Sequence, residues 1–284
     1  MNALLQQWAT YPVAFYVAAT FGILLTGVFK GGFGGGPGGI AVALMSMFIA
    51  PANAAGIVLP ILCVMDIFGV LAYRSNWSRE LMKILIPGAL VGITLGALAF
   101  GTVPVNWVRL FIGVIAVTFT LNRWFGIAQR LGASSAKPGR VVGYVSAAAS
   151  GFTSTMAHAG GPPLLVYLLP QRLDKTVFVG TTVIFFTVVN YVKLVPFFWL
   201  GQLSVDNLGL SLLFAPLAPL GIWLGLRLER WIPEKPFYRV SYTILFCTGC
   251  KLIYDALTTC AWVRDGSHGG VCAMIAPSPS SALP

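Results

Sequence analysis

Charged side chains are scarce in this sequence: Asp, Glu, Lys and Arg make up 9% of its 284 residues, against roughly 25% in an ordinary soluble domain. That is too few to cover a globular surface in water, and a mean hydropathy of +0.83 agrees. Soluble enzyme, nucleic-acid binder and disordered chain are excluded as readings of the whole molecule. The net charge of +10 comes without any block of five or six basic residues, so no nucleic-acid partner is expected. There is no G-x-x-x-x-G-K-[ST] loop, no metal-ligand spacing and no convincing nucleophile–base pair. The expectation is therefore a protein that is not an enzyme and carries no cofactor and no metal. Five cysteines, an odd number, form no disulfide framework. Residues 1–29 contain no Lys or Arg, so the first apolar run lacks the basic flank of a cleavable signal and is read as retained.

What is present is apolar sequence in long runs, roughly 12–29, 40–50, 53–73, 81–100, 105–124, 141–156, 162–170, 176–199, 208–226 and 237–257. At about 20 residues per crossing helix, this predicts a multi-pass helical membrane protein. Two runs are short. Residues 40–50 and 162–170 would form helices of roughly 14–17 Å, too short for roughly 30 Å of hydrocarbon. Each follows a glycine-rich break, GGFGGGPGG at 31–39 and AHAGGPP at 157–163.

The sequence also repeats. Pro87, Ala89, Gly92 and Gly96 recur as Pro216, Ala218, Gly221 and Gly225 at an offset of 129, and Pro104 and Arg109 recur as Pro233 and Arg239. Gly56 matches Gly180, and Asp66 matches Asn190, at an offset of 124. Several matches in order argue for two homologous halves. Thirteen of the 18 Lys and Arg fall in the gaps 74–83, 123–140, 171–175 and 227–239. With these gaps cytoplasmic, and an even number of crossings in each broken pair, both termini lie outside and the halves are inverted. The expected fold is an all-α polytopic membrane protein of two inverted-topology repeats, each a Gly-broken helix pair plus three full transmembrane helices. Its expected parts are an external N-terminus (1–11), repeat 1 (12–124), a cytoplasmic linker (125–140), repeat 2 (141–257) and an external tail (258–284) whose Pro/Ser ending reads as disordered.

The stretches SGFTSTMAHAGGPPLLVYLLPQRL (150–173) and VGTTVIFFTVVNYVKLVPFFWLGQL (179–203), with KGGFGGGPGG at 30–39, resemble the sulfite exporter TauE/SafE family. The likeness covers roughly 12–257. It implies a transporter of small sulfur-containing anions, sulfite or an organosulfonate such as sulfoacetate, in the cell membrane.

Independently of that likeness, the two breaks are the places for chemistry. Irregular backbone at membrane depth must line a cavity or be buried in protein. The short helices that start near Pro37 and Pro162 offer free N–H groups and positive dipole ends, which suit an oxyanion. Lys30, Gly34, Gly35, Gly36, Thr155, His158, Gly160, Gly161, Thr181 and Asn190 are therefore the candidate substrate contacts. Asp66 and His158 are the candidates for proton coupling, and Asp66 is also a candidate partner for Lys30 or Lys193. Thr153, Ser154 and Thr182 complete a set of hydroxyls that could instead bond their own helix backbone. Lys193 reads as a lysine snorkelling toward the outer end of its helix. Lys251 and Asp255 read as an i,i+4 pair, and Cys247-x-x-Cys250 as packing residues. The expected partners are a small anion, the lipid bilayer and, without direct support, a second copy of the chain. The alternatives on the same fold are a passive anion channel and a transporter of a non-sulfur organic anion.

Overall fold

The structure is a computed structural model that describes residues 11–34, 39–100, 102–126 and 137–264, with side chains through 257. Every regular element among them is helical. In chain order they are α1 (Val13–Phe33), α2 (Ile40–Met45), α3 (Pro51–Tyr73), α4 (Arg79–Leu98), α5 (Val105–Phe125), α6 (Arg140–Ala157), α7 (Gly161–Leu168), α8 (Lys175–Trp199), α9 (Val205–Phe214), α10 (Leu217–Trp231) and α11 (Glu234–Arg264). By length and composition α1, α3, α4, α5, α8 and α11 can each cross a membrane. The single run expected at 208–226 is instead a bent pair, α9 and α10, turning by 46° at Ala215 and Pro216. Proline has no N–H for the helix ladder, so the chain bends there. The short first helix also ends earlier than the apolar run: after Met45 the chain turns, and Pro51 starts α3.

Local chemistry sets the boundaries. Gly34 ends α1 in the left-handed region (φ 73°), donating its N–H to Phe29 O. Ser78 Oγ accepts from Leu81 N at the start of α4, and Ser204 Oγ accepts from Asn207 N at the start of α9. Each hydroxyl satisfies one of the N–H groups left over at a helix start.

Two cores form. One joins α1, α2 and α3 to α9 and α10; the other joins α6, α7 and α8 to α4, with contributions from α5 and α11. Small residues let the helices meet at backbone distance. A Cβ on Gly27 would lie 2.8 Å from Gly221 Cα, and one on Gly92 would overlap Ala148 O. Helix α3 runs antiparallel to α8, with Gly56 against Gln202 O, Asp66 against Asn190, and Gly180 against Asn76 O and Tyr73. Helices α5 and α11 are also antiparallel, joined at Gly113 and Gly249 and at Phe119 and Tyr242.

Helix α1 and α3 start at the same end, where Phe15 meets Phe48, and finish at the other, where Tyr73 OH donates to Gly31 O. The described part of the chain between them, from Gly39 through α2 to Phe48, therefore runs back. Outside the cores the surface is greasy: Phe21, Leu71, Phe111 and Leu212 are all more than 60% exposed. A contiguous apolar exterior of this kind faces lipid. The molecule is a multi-pass membrane protein.

Candidate functional site

The second break is built by local hydrogen bonds. Helix α6 ends at His158, whose backbone is left-handed (φ 52°) and whose N–H donates to Ser154 O. The next N–H, of Ala159, donates to Thr153 O, and Ser150 Oγ donates to Gly160 O. A side chain on Gly160 has no room, since its Cβ would lie 2.8 Å from Ser150 O. Helix α7 then opens on Gly161, Pro162 and Pro163. The prolines have no N–H to orphan, so the uncommitted donors at this helix start are Gly160 and Gly161. The first break adjoins the second: a Cβ on Gly39 would lie 3.5 Å from the carbonyl oxygens of both Ala157 and His158.

Beside the break lies a cavity of about 30 Å³, between α1, α3, α6, α7 and α8. At ~10–15 Å³ per water it has room for about two. Its polar lining is Thr26, Lys30, Ser154, His158, Asn190 and Lys193, with the Gly160–Gly161 backbone. Leu62 and Phe186 close it. They stand at the same offset of 124 as Lys30 and Ser154, so two pairs of lining residues fall at matched positions of the sequence repeat.

Three buried charges surround this space. Lys30 Nζ is 2.8 Å from Asp66 Oδ1 and donates to Leu62 O at 3.2 Å. Asn190 Nδ2 donates to Asp66 Oδ2 at 2.8 Å, and Thr187 Oγ1 lies 3.1 Å from Oδ1. The Asp66 carboxylate is thus fully engaged. Lys193 is 0% exposed. It donates to Ser154 Oγ at 2.9 Å and to Ser154 O at 3.1 Å, and its ammonium sits 5.8 Å from the centre of the Phe197 ring. No carboxylate pairs with it among the described residues. Two lysines stand here against one aspartate, so the cavity carries one surplus positive charge whenever both lysines are protonated. The His158 ring, 4% exposed and 5.7 Å from Phe197, has hydrogen-bond partners on neither nitrogen among the described residues, and Thr26 Oγ1 has none either. Buried polar atoms without partners are uncommon and point to an absent ligand or water.

Of the residues expected from sequence, the structure brings Lys30, Asp66, His158, Gly160, Gly161 and Asn190 together. Lys30 lies inside α1, one turn before the end at Phe33. Thr155 lies elsewhere, donating to Gly151 O and packing against Gly96. Thr181 donates to Val177 O and accepts from Ser78 N, tying α8 to the start of α4. Gly34 caps α1 beside Thr182 and Phe178. Gly35 and Gly36 lie outside the described residues.

Lys193 is the correction. It does not snorkel, because α8 continues to Trp199 and Phe197 covers the ammonium. Ser154, one of the hydroxyls that could supply a neutral donor, lines the cavity, and so does Thr26, which carries no mark of its own in the sequence. The signal was in the repeat: Ser154 is the counterpart of Lys30, and Lys193 lies one turn after the counterpart of Asp66.

Comparison with known proteins agrees with a multi-pass membrane transporter. The model of the sulfite exporter TauE/SafE family matches residues 19–252. A probable inner membrane transporter protein, TsaS of Comamonas testosteroni, is 27% identical over 188 residues, which cover 65% of this chain and 75% of that protein. No solved structure matches the chain. With the family match running through all but the ends of the helical body, and both breaks and all three buried charges inside it, the chain belongs to the sulfite exporter TauE/SafE family of membrane transporters.

Proposed function

We propose that the protein is a secondary transporter of small sulfur-containing anions in the cytoplasmic membrane, and that the anion sits in the cavity bounded by Lys30, Lys193, His158 and the Gly160–Gly161 backbone. The observation that carries this reading is the surplus charge. An unpaired ammonium out of water costs several kcal/mol even after relaxation, and the cost is offset when an anion arrives. Helix α7 adds the roughly half positive charge of its N-terminus. Asn190, Ser154 and Thr26 add neutral polar groups. A cavity of about 30 Å³ is smaller than a three-oxygen headgroup, so binding requires the break or the lysines to move.

The halves are inverted in this reading, with the anion between them near the midplane. What supports it is the way contacts exchange at the repeat offset. Gly56 abuts Gln202 O and Gly180 abuts Asn76 O; α1 packs on α10 and α6 on α4; α3 runs antiparallel to its own counterpart α8. Alternating access then rocks one half against the other around Asp66 and Asn190.

Proton coupling follows from charge. Lys30, Lys193 and deprotonated Asp66 neutralise a monoanion. A dianion leaves one negative charge over unless Asp66 takes a proton as Lys30 turns from it to the substrate. The test is counterflow in proteoliposomes preloaded with unlabelled substrate, measuring uptake of radiolabelled sulfite and sulfoacetate against chloride and acetate controls. Saturable, exchange-accelerated uptake of a sulfur anion is the expected result. Non-saturating flux with no exchange acceleration means a channel.

A further inference from the structure

A second and larger cavity, of about 350 Å³, lies on the other side of the second break. Ala157, Ala159 and Pro162 face it, whereas His158, Gly160 and Gly161 face the inner cavity. A single strand of backbone therefore separates the two spaces. That strand holds the left-handed, unpartnered His158. A non-glycine residue in this region stores strain of about 1–3 kcal/mol, and among the described residues no side-chain hydrogen bond of the imidazole fixes it in place.

The far wall of the large cavity is one face of α11. Along it stand Thr243, Cys247, Thr248, Lys251 and Asp255, with Ile244 and Leu252 among them. A polar stripe on a spanning helix faces water or protein and not hydrocarbon. Arg109 of α5 completes the charged end. Because α5 and α11 are antiparallel, joined at Gly113 and Gly249, the start of α5 lies beside the end of α11. Arg109 and Lys251 against Asp255 leave this end with one surplus positive charge. The walls at Phe29, Ile40 and Val42 are apolar. An apolar chamber with a cationic mouth that ends at the break suits a small anion in transit.

We propose that this chamber is an outer anion site, a vestibule in which a small sulfonate- or sulfite-like anion rests beside Arg109 before the His158 break opens to the inner cavity. It rests on the transporter reading and its topology for the direction of the mouth, which is external. It does not rest on transport for its own test. Cys247 faces the chamber, and Cys250, on another face of α11, is exposed but does not line it.

The experiment treats intact cells expressing the full chain with membrane-impermeant methanethiosulfonate reagents of opposite charge, and reads modification of each cysteine by mass spectrometry. Methanesulfonate, which does not consume the reagents, is the competing anion. Cys247 is expected to react faster with the anionic than with the cationic reagent, by on the order of tenfold from charge steering. Arg109→Gln is expected to remove that preference and Arg109→Lys to keep it. Methanesulfonate is expected to slow modification at Cys247 and to leave unchanged that of a second cysteine placed at the predicted external cap Ser204. Equal rates for the two reagents, an unchanged preference in a folded Arg109→Gln protein, or equal protection of both cysteines overturns the vestibule. Expected labelling with no counterflow of any sulfur anion upholds the vestibule and rejects the transporter reading, so the two fail separately.

Discussion

Asp66 Oδ2 accepts a hydrogen bond from Asn190 Nδ2 at 2.8 Å, and these two residues occupy the same position of the sequence repeat. On the proposed inverted-repeat reading, a residue bonded to its own counterpart lies where the two halves meet. The difference between them, a carboxylate facing an amide, places one negative charge there. Lys30 neutralises it, so Lys193 is the lysine of the site that has no carboxylate partner among the described residues.

The Lys30–Asp66 pair should behave as a buried unit. Removing one partner strands the other charge and is expected to cost about 3–5 kcal/mol. Thermal unfolding in detergent of Asp66→Asn, Lys30→Met and the double variant checks this. Each single variant should be clearly less stable than wild type, and the double variant should recover more than half of the loss. Additive losses would show that the two side chains are not coupled.

On the proposed coupling Asp66 takes up a proton as Lys30 engages a dianion, so sulfoacetate flux is expected to respond to an imposed pH gradient. Uptake into proteoliposomes should differ between gradients of opposite sign in the wild type. In Asp66→Asn that response should weaken while exchange persists. Wild-type flux that ignores the gradient would remove Asp66 from the coupling.

His158 combines a strained backbone with an unpartnered ring, which predicts opposite effects on stability and binding. His158→Gly suits the left-handed φ of 52° and removes a buried imidazole without partners, so its melting temperature should equal or exceed that of the wild type. Anion affinity should fall by about tenfold, the equivalent of ~1.4 kcal/mol. A variant that binds as well as the wild type would leave His158 with the turn alone.

Much of this arrangement was legible in the chain. The offset repeat is visible because Gly56, Gly92, Gly180 and Gly221 must be small where backbones touch. The two breaks are visible because Gly and Pro stop helices. Lys193 was not legible, because a lysine six residues from a helix end looks the same whether it reaches the surface or is covered by Phe197. Thr155 and Thr181 misled for a related reason: hydroxyls beside a break can face the cavity or bond their own helix, and helix rotation decides which. The bend between α9 and α10 was hidden inside a continuous apolar run, with Pro216 its only mark.

The glycine contacts give a stability test with an internal control. A Cβ on Gly92 would overlap the Ala148 carbonyl, whereas one on Gly139 would meet nothing within 4 Å. Gly92→Val is therefore expected to lower stability by about 1–3 kcal/mol or to block folding, and Gly139→Ala to change it by less than about 0.5 kcal/mol. Equal tolerance at both sites would contradict the close packing of α4 on α6.

The inverted arrangement predicts that equivalent helix caps face opposite sides. Single cysteines at Ser78 and Ser204, the matching N-caps of α4 and α9, should differ when intact cells are treated with an impermeant maleimide. Position 204 should react and position 78 should not until the membrane is permeabilised. Reaction of both in intact cells would mean the halves are not inverted.

The most direct test of the anion site is equilibrium binding of a radiolabelled sulfur anion to purified, monodisperse Lys193→Met beside the wild type. Methionine keeps the length of the side chain and removes the uncompensated charge, so the fold should be retained or stabilised. The wild type is expected to bind saturably, and Lys193→Met to lose at least about tenfold in affinity, ~1.4 kcal/mol, at an unchanged or higher melting temperature. Wild-type affinity in a folded Lys193→Met protein would contradict the assignment and move the substrate away from this cavity.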